Sequence, residues 1–196
     1  MAAAHAYVRC GDESVLDLCR VLVRSDPMMP CNCNQFPAPA LSRRGIAQRI
    51  RQTRTIKPTL TMLSRNDAEV LTLLQCPSCE SFWQESLAWN WGGKQYVYRV
   101  PLISEVEWLA EPYVQPHEML IYSATMSDHL ETNEFVESSR RCRFEECHDN
   151  AIDGLVLCLH HHLASLRKVE LLPELPVGRL FAPYHYGSFP GFREDG

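Results

Sequence analysis

Cys76-Pro77-Ser78-Cys79 is the stretch whose residue types and spacing most directly imply chemistry. Two cysteines with two residues between them can bend a tight turn until both thiolates point at one cation, which is half of a tetrahedral metal site. The other half stands upstream at Cys31-Asn32-Cys33, with the long insert Asn34 to Gln75 between. A second group lies toward the C-terminus: Cys142, then Cys147 after four residues, Cys158 after ten more, and the run His160-His161-His162. Cys158 is placed to open a helix, on which His161 and His162 lie three and four residues on, so either can face it. A Cys-x-x-His pair at a helix start favours His161. Four protein ligands close a zinc site, whereas a catalytic zinc keeps one position for water or substrate. The expected cofactors are therefore two structural zinc ions. One would sit on Cys31, Cys33, Cys76 and Cys79, the other on Cys142, Cys147, Cys158 and His161.

Disulfides are the competing use for nine cysteines. An odd number, with no basic and apolar leader at Met1 to Tyr7, argues for free thiols in a reducing, cytoplasmic setting. Cys10 and Cys19 remain outside both groups and read as small buried hydrophobes.

Placing these ligands requires an α+β framework. Asp12 to Arg24 has helical periodicity, and Asp26-Pro27 stops it. Ser42 is an N-cap for a helix to about Thr55, with Ile46 and Ile50 inward and Arg43, Arg44, Arg49, Arg51 and Arg54 outward. Ser64 to Asp67 reads as a short helical turn, and Val70 to Leu74 as a buried strand. Ser81 to Trp89 and Gln95 to Pro101 flank a Gly-Gly turn and read as a hairpin, with Trp83, Trp89 and Trp91 covering the metal site and sheet. Strand, cysteine turn and hairpin together make a zinc-ribbon-like unit.

Further on, Ser104-Glu105-Val106-Glu107 is a capping box for a helix through Ala110. Pro116 can start another helix, with Met119, Tyr122, Met126 and Leu130 on one face; a strand over Glu118 to Ala124 is the alternative. The C-terminal group reads as a zinc knuckle in which Asp153-Gly154 turns the chain into a brief strand at Leu155 to Leu157. The expected divisions are a ribbon-containing domain over 1–139, the knuckle over 140–172, and an extended tail over 173–196.

Charge is unevenly spread. Residues 1–100 carry +4 and residues 101–196 carry −9. Loaded zinc-thiolate sites add further negative charge, which disfavours a nucleic-acid backbone and favours a cationic partner. Between Pro101 and Ser139 there is no Lys or Arg, but there are Glu105, Glu107, Glu111, Glu118, Asp128, Glu131, Glu134 and Glu137. These eight carboxylates are the expected contact face for a basic protein. No run of residues is long and apolar enough for a membrane span.

Catalytic constellations are missing. There is no phosphate-cradling glycine loop, no Gly-x-Ser-x-Gly and no HExxH. The expectation is a non-enzymatic protein. The alternative function is a zinc-finger regulator that touches nucleic acid through the basic helix over 42–57.

The stretch from Cys31 to Trp83, together with the knuckle of Cys142, Cys147, Cys158 and His161 or His162, resembles small bacterial zinc-ribbon proteins, some of which are immunity proteins beside secreted toxins. The resemblance implies an inhibitor that occludes a basic toxin or effector, with zinc shaping the scaffold.

Overall fold

Four segments pair into one antiparallel sheet in the computed structural model, which describes residues 31–185, 189 and 190. The helix read over 12–24, Cys10, Cys19 and the last residues of the tail lie outside them. The strands are β1 (Thr61–Asn66), β2 (Leu71–Gln75), β3 (Phe82–Ala88) and β4 (Lys94–Val100), in spatial order 1-2-3-4. The hairpin expectation holds for β3 and β4, which pair from Phe82↔Val100 to Ala88↔Lys94. The left-handed Gly92 and Gly93 make the reversal.

Ser64 to Asp67 is a correction. Ser64, Arg65 and Asn66 are strand residues opposite Leu73, Thr72 and Leu71. The turn starts only at Asp67, where the Asn66 side chain accepts from the Ala68 and Glu69 amides at 3.1 and 3.2 Å.

Helix α1 (Arg43–Ile56) begins at Ser42, whose hydroxyl accepts from the Gly45 amide at 3.0 Å. It solves an edge problem. β4 ends the sheet, so the outward N–H and C=O of Val97 have no strand to bond. The Thr53 hydroxyl accepts from Val97 N at 3.0 Å, and Arg49 donates to Val97 O at 3.4 Å. Arg49 also donates to Pro37 O. It is therefore buried, not part of an outward basic face as its neighbours implied, and burial lowers its pKa.

On the sheet face that carries Leu71, Leu73, Tyr96 and Tyr98, α2 (Glu105–Ala110) and α3 (Pro116–Thr132) complete a core that also takes in Ile46 of α1. The Ser104–Glu107 capping box forms as expected. Gln84 ties this layer down. Its amide donates to Tyr98 Oη at 2.5 Å and Tyr113 O at 2.6 Å, and it accepts from Trp108 Nε1 at 2.7 Å and Tyr113 N at 3.0 Å. A fully buried amide whose bonds are all made is stabilising, while losing any partner exposes its neighbours to the full desolvation cost.

The chain then forms a small hairpin, β5 (Glu137–Arg141) with β6 (Asn150–Ile152), and α4 (Leu159–Lys168). The brief strand thus precedes the Asp153-Gly154 turn rather than following it at Leu155 to Leu157. Those later residues still bond as turn backbone, Leu157 O accepting from Ile152 N at 2.9 Å. Leu163 carries α4 into the main core. The tail also enters that core: Phe181 stacks on Tyr98 at 6.1 Å between ring centres. Gly178 permits the approach, since a Cβ there would lie 2.7 Å from Pro112 O. No helix among the described residues is long and apolar enough to cross a membrane.

Candidate metal centres

The first group is assembled by sheet geometry. The Cys76–Cys79 turn is the β2–β3 connection, closed by Cys76 N to Ser81 O and Glu80 N to Cys76 O, both at 2.9 Å. Glu80 takes a left-handed φ of 56°, which brings the chain back into β3. Cys31 and Cys33 reach the same point from a loop that turns at Cys33–Gln35. That loop is held by Arg49 at Pro37 and by the Arg99 guanidinium, which donates to Asn34 at 3.3 Å.

All four sulfurs lie within 4.8 Å of one another. Cys33 and Cys76 are buried in a cluster with Ile56, Leu74, Trp83 and Val97, while Cys79 is exposed. Trp83 covers the group as expected. Trp89 does not: it is 57% exposed, displaced outward by the turn it belongs to. Trp91 is half-buried against the main core, beneath the Arg43 guanidinium.

The second group is assembled by a loop and a helix start. Cys142 follows β5, Cys147 lies in the β5–β6 loop, and Cys158 caps α4 with His161 in its first turn. Cys147 and Cys158 sulfurs are 3.8 Å apart, and His161 Nδ1 is 3.2 Å from Cys158 Sγ and 3.5 Å from Cys142 Sγ. A tetrahedron of ~2.3 Å zinc–sulfur bonds has edges of about 3.8 Å, whereas a disulfide would draw sulfurs to about 2 Å. The donor set therefore fits a metal and not a crosslink. Of the two histidines left open by spacing, His161 joins the group. Phe144 stacks on its ring at 4.0 Å between centres and fixes its plane. His162 turns instead toward Phe135, at 6.0 Å.

Thiol acidity differs within each group. Burial pushes the Cys142 thiol up, but the amides of Cys158 and Phe144 and the His161 ring bring it down to about 7. Burial opposes ionisation at Cys79 too, yet bonds from Ser81 lower it to about 6. Burial raises Cys158 to about 11 and drives Cys33 up strongly, with the neighbouring thiols adding to both. Four thiols this close cannot all ionise without a cation among them, and a bound metal removes that penalty.

The eight acidic residues stand in different settings. Glu107 is spent on its capping box, Glu111 pairs with Arg179 at 3.5 Å, and Glu118 is half-buried. Glu105 is exposed on α2, while Asp128, Glu131, Glu134 and Glu137 are exposed from the last turns of α3 to the start of β5. The buried carboxylate outside that run, Glu85, pairs with Lys57 at 2.5 Å. Neither it nor the Gln84 network carried a sequence signal, since both read as polar positions of a half-exposed strand.

No protein family matches this sequence, and no curated protein or solved structure is similar to it. No family is shown.

Proposed function

We propose that this chain is a non-enzymatic, two-zinc protein-binding module. The observation that supports it is closure: each group brings four donor atoms within 4.8 Å, which leaves a bound ion no position for a substrate. Zinc suits thiolate-rich tetrahedral donors better than metals that prefer octahedral oxygen sites. Cys31 to Val100 would then be a zinc-ribbon-like unit widened by β1, and the segment from Cys142 to His161 a knuckle of three cysteine ligands and one histidine.

The partner in this reading is a basic protein, and an inhibitor of a basic toxin or effector is its most specific form. Asp128, Glu131, Glu134 and Glu137 form the contact patch, since they are exposed and make no ion pair among the described residues. Nucleic-acid binding through α1 is the weaker alternative, because Arg49 is spent inside and Arg43 lies on Trp91. The Glu131→Lys/Glu134→Lys/Glu137→Lys variant should keep its fold and lose partner capture from the native host by about tenfold or more. Undiminished capture would sink the acidic patch, and co-purifying nucleic acid without a dominant protein would favour the alternative.

A further inference from the structure

At the other end of α3 lies a groove of about 500 Å³ unrelated to either cysteine group. Its apolar wall is Trp89, Ile121, Tyr122 and Val177, of which Trp89 is 57% and Val177 87% exposed. Three carboxylates from three separate segments rim it: Glu69 from the β1–β2 turn, Glu118 from the first turn of α3, and Glu174 from the tail. No Lys, Arg or His is among the described lining residues. None of the three carboxylates forms an ion pair among the described residues, and only Glu118 has a hydrogen bond, accepting from Gln115 at 3.2 Å. A neighbouring cation, Arg167, is engaged with Tyr122, donating to its hydroxyl at 2.8 Å with its guanidinium 5.9 Å from the ring.

An aromatic face beside unpaired carboxylates is the chemistry that holds an ammonium group on an aliphatic stem. The ring quadrupole attracts the charge, the carboxylates pair with it, and the methylenes cover apolar wall. Burial raises the pKa of Glu118, and the Glu69 charge adds to that. We propose that this groove receives a lysine side chain of the basic protein partner, a second contact about 20 Å along α3 from the Asp128–Glu137 patch. The assignment rests on the protein-binding reading above.

The test uses the zinc-loaded full chain, titrated with acetyl-tetralysine amide and with the same peptide acetylated on every lysine, read by tryptophan fluorescence at about 0.15 M salt, where exposed charges are screened. Saturable binding of tetralysine is expected, weakened about tenfold or more by side-chain acetylation. The Glu118→Gln/Glu174→Gln variant should weaken it about tenfold, and Trp89→Ala about threefold. The Glu131→Lys/Glu134→Lys/Glu137→Lys variant should change it less than either. Equal binding of the two peptides, no saturable binding, or unchanged affinity in the glutamine variant with zinc content intact overturns the groove assignment. Host-partner capture separates the two ideas. If the glutamine variant binds lysine peptides poorly yet captures the partner fully, the groove is not its contact. If tetralysine binds as expected and no partner protein is captured, lysine binding by the groove stands, while its assignment to a protein partner falls with the protein-binding function.

Discussion

The two cysteine groups have nearly the same donors but opposite settings. The first lies at a sheet turn with Cys33 and Cys76 buried beneath Trp83, Ile56 and Val97, so its sulfurs are part of a hydrophobic cluster. The second is held by a short hairpin and the start of α4, and the ring stacked on its histidine, Phe144, is 57% exposed. A metal at the first group would organise one face of the main sheet. A metal at the second would organise a loop whose helix is already anchored through Leu163. Equal ligand chemistry therefore does not mean equal consequence.

The largest difference is expected from matched ligand losses. Cys76→Ser should abolish the first site and unfold the sheet face it supports, since structural zinc contributes on the order of 10 kcal/mol in small domains. Cys147→Ser should release the second ion and broaden only knuckle signals. Amide spectra of both variants with zinc content measured in parallel check this, and equal global unfolding would erase the distinction.

The face of the main sheet that carries Gln84 provides the next comparison. Gln84→Leu leaves Trp108 Nε1 and the Tyr113 amide without partners. It should cost roughly 3–5 kcal/mol in urea unfolding while zinc stoichiometry stays at two. A loss under about 1 kcal/mol would mean that the network is not a fastener.

His117 gives that same face a pH dependence. Its Nδ1 meets Tyr96 Oη at 3.0 Å and its ring is wholly buried, which lowers its pKa from 6.5 to about 4. The unfolded chain takes up this proton near pH 6.5 and the folded chain does not until near pH 4. Stability is thus fully present above the upper value and falls as pH drops through the window, by about 3 kcal/mol. His117→Gln should lack that component when both proteins are compared under saturating zinc. Identical slopes would refute it.

The smallest effect belongs to the knuckle. Phe144→Ala removes the ring that orients His161 and should weaken the second site about tenfold against a competing chelator, with the first unchanged.

What could be read from sequence alone was local. Cys-x-x-Cys, the Ser42 cap, the Ser104–Glu107 box and the Gly-Gly turn each act within a few residues, and each stands where spacing put it. Each half of the two donor groups was legible for the same reason, including the preference for His161, while the union of Cys31 and Cys33 with Cys76 and Cys79 followed from the count of ligands that one metal needs. β1 was not, because an exposed edge strand ending Ser-Arg-Asn, just before Asp67, has the composition of a turn and is defined only by pairing with β2. Arg49 looked like any other arginine of α1, and its burial follows from an unfilled strand edge 48 residues away. The unequal settings of the acidic run have the same origin, since a local cap occupies Glu107 and a tertiary neighbour, Arg179, occupies Glu111.

The central claim is tested most directly by the metal itself. Zinc content of the purified chain should be two per molecule. X-ray absorption should average an all-sulfur shell with a shell of three sulfurs and one nitrogen, the sulfurs lying at about 2.3 Å. Stepwise chelation should release the knuckle ion before the ion beneath the sheet, with loss of tertiary structure tracking the second release. A chain that keeps its tertiary structure after complete metal removal, or that binds no zinc, would contradict the account.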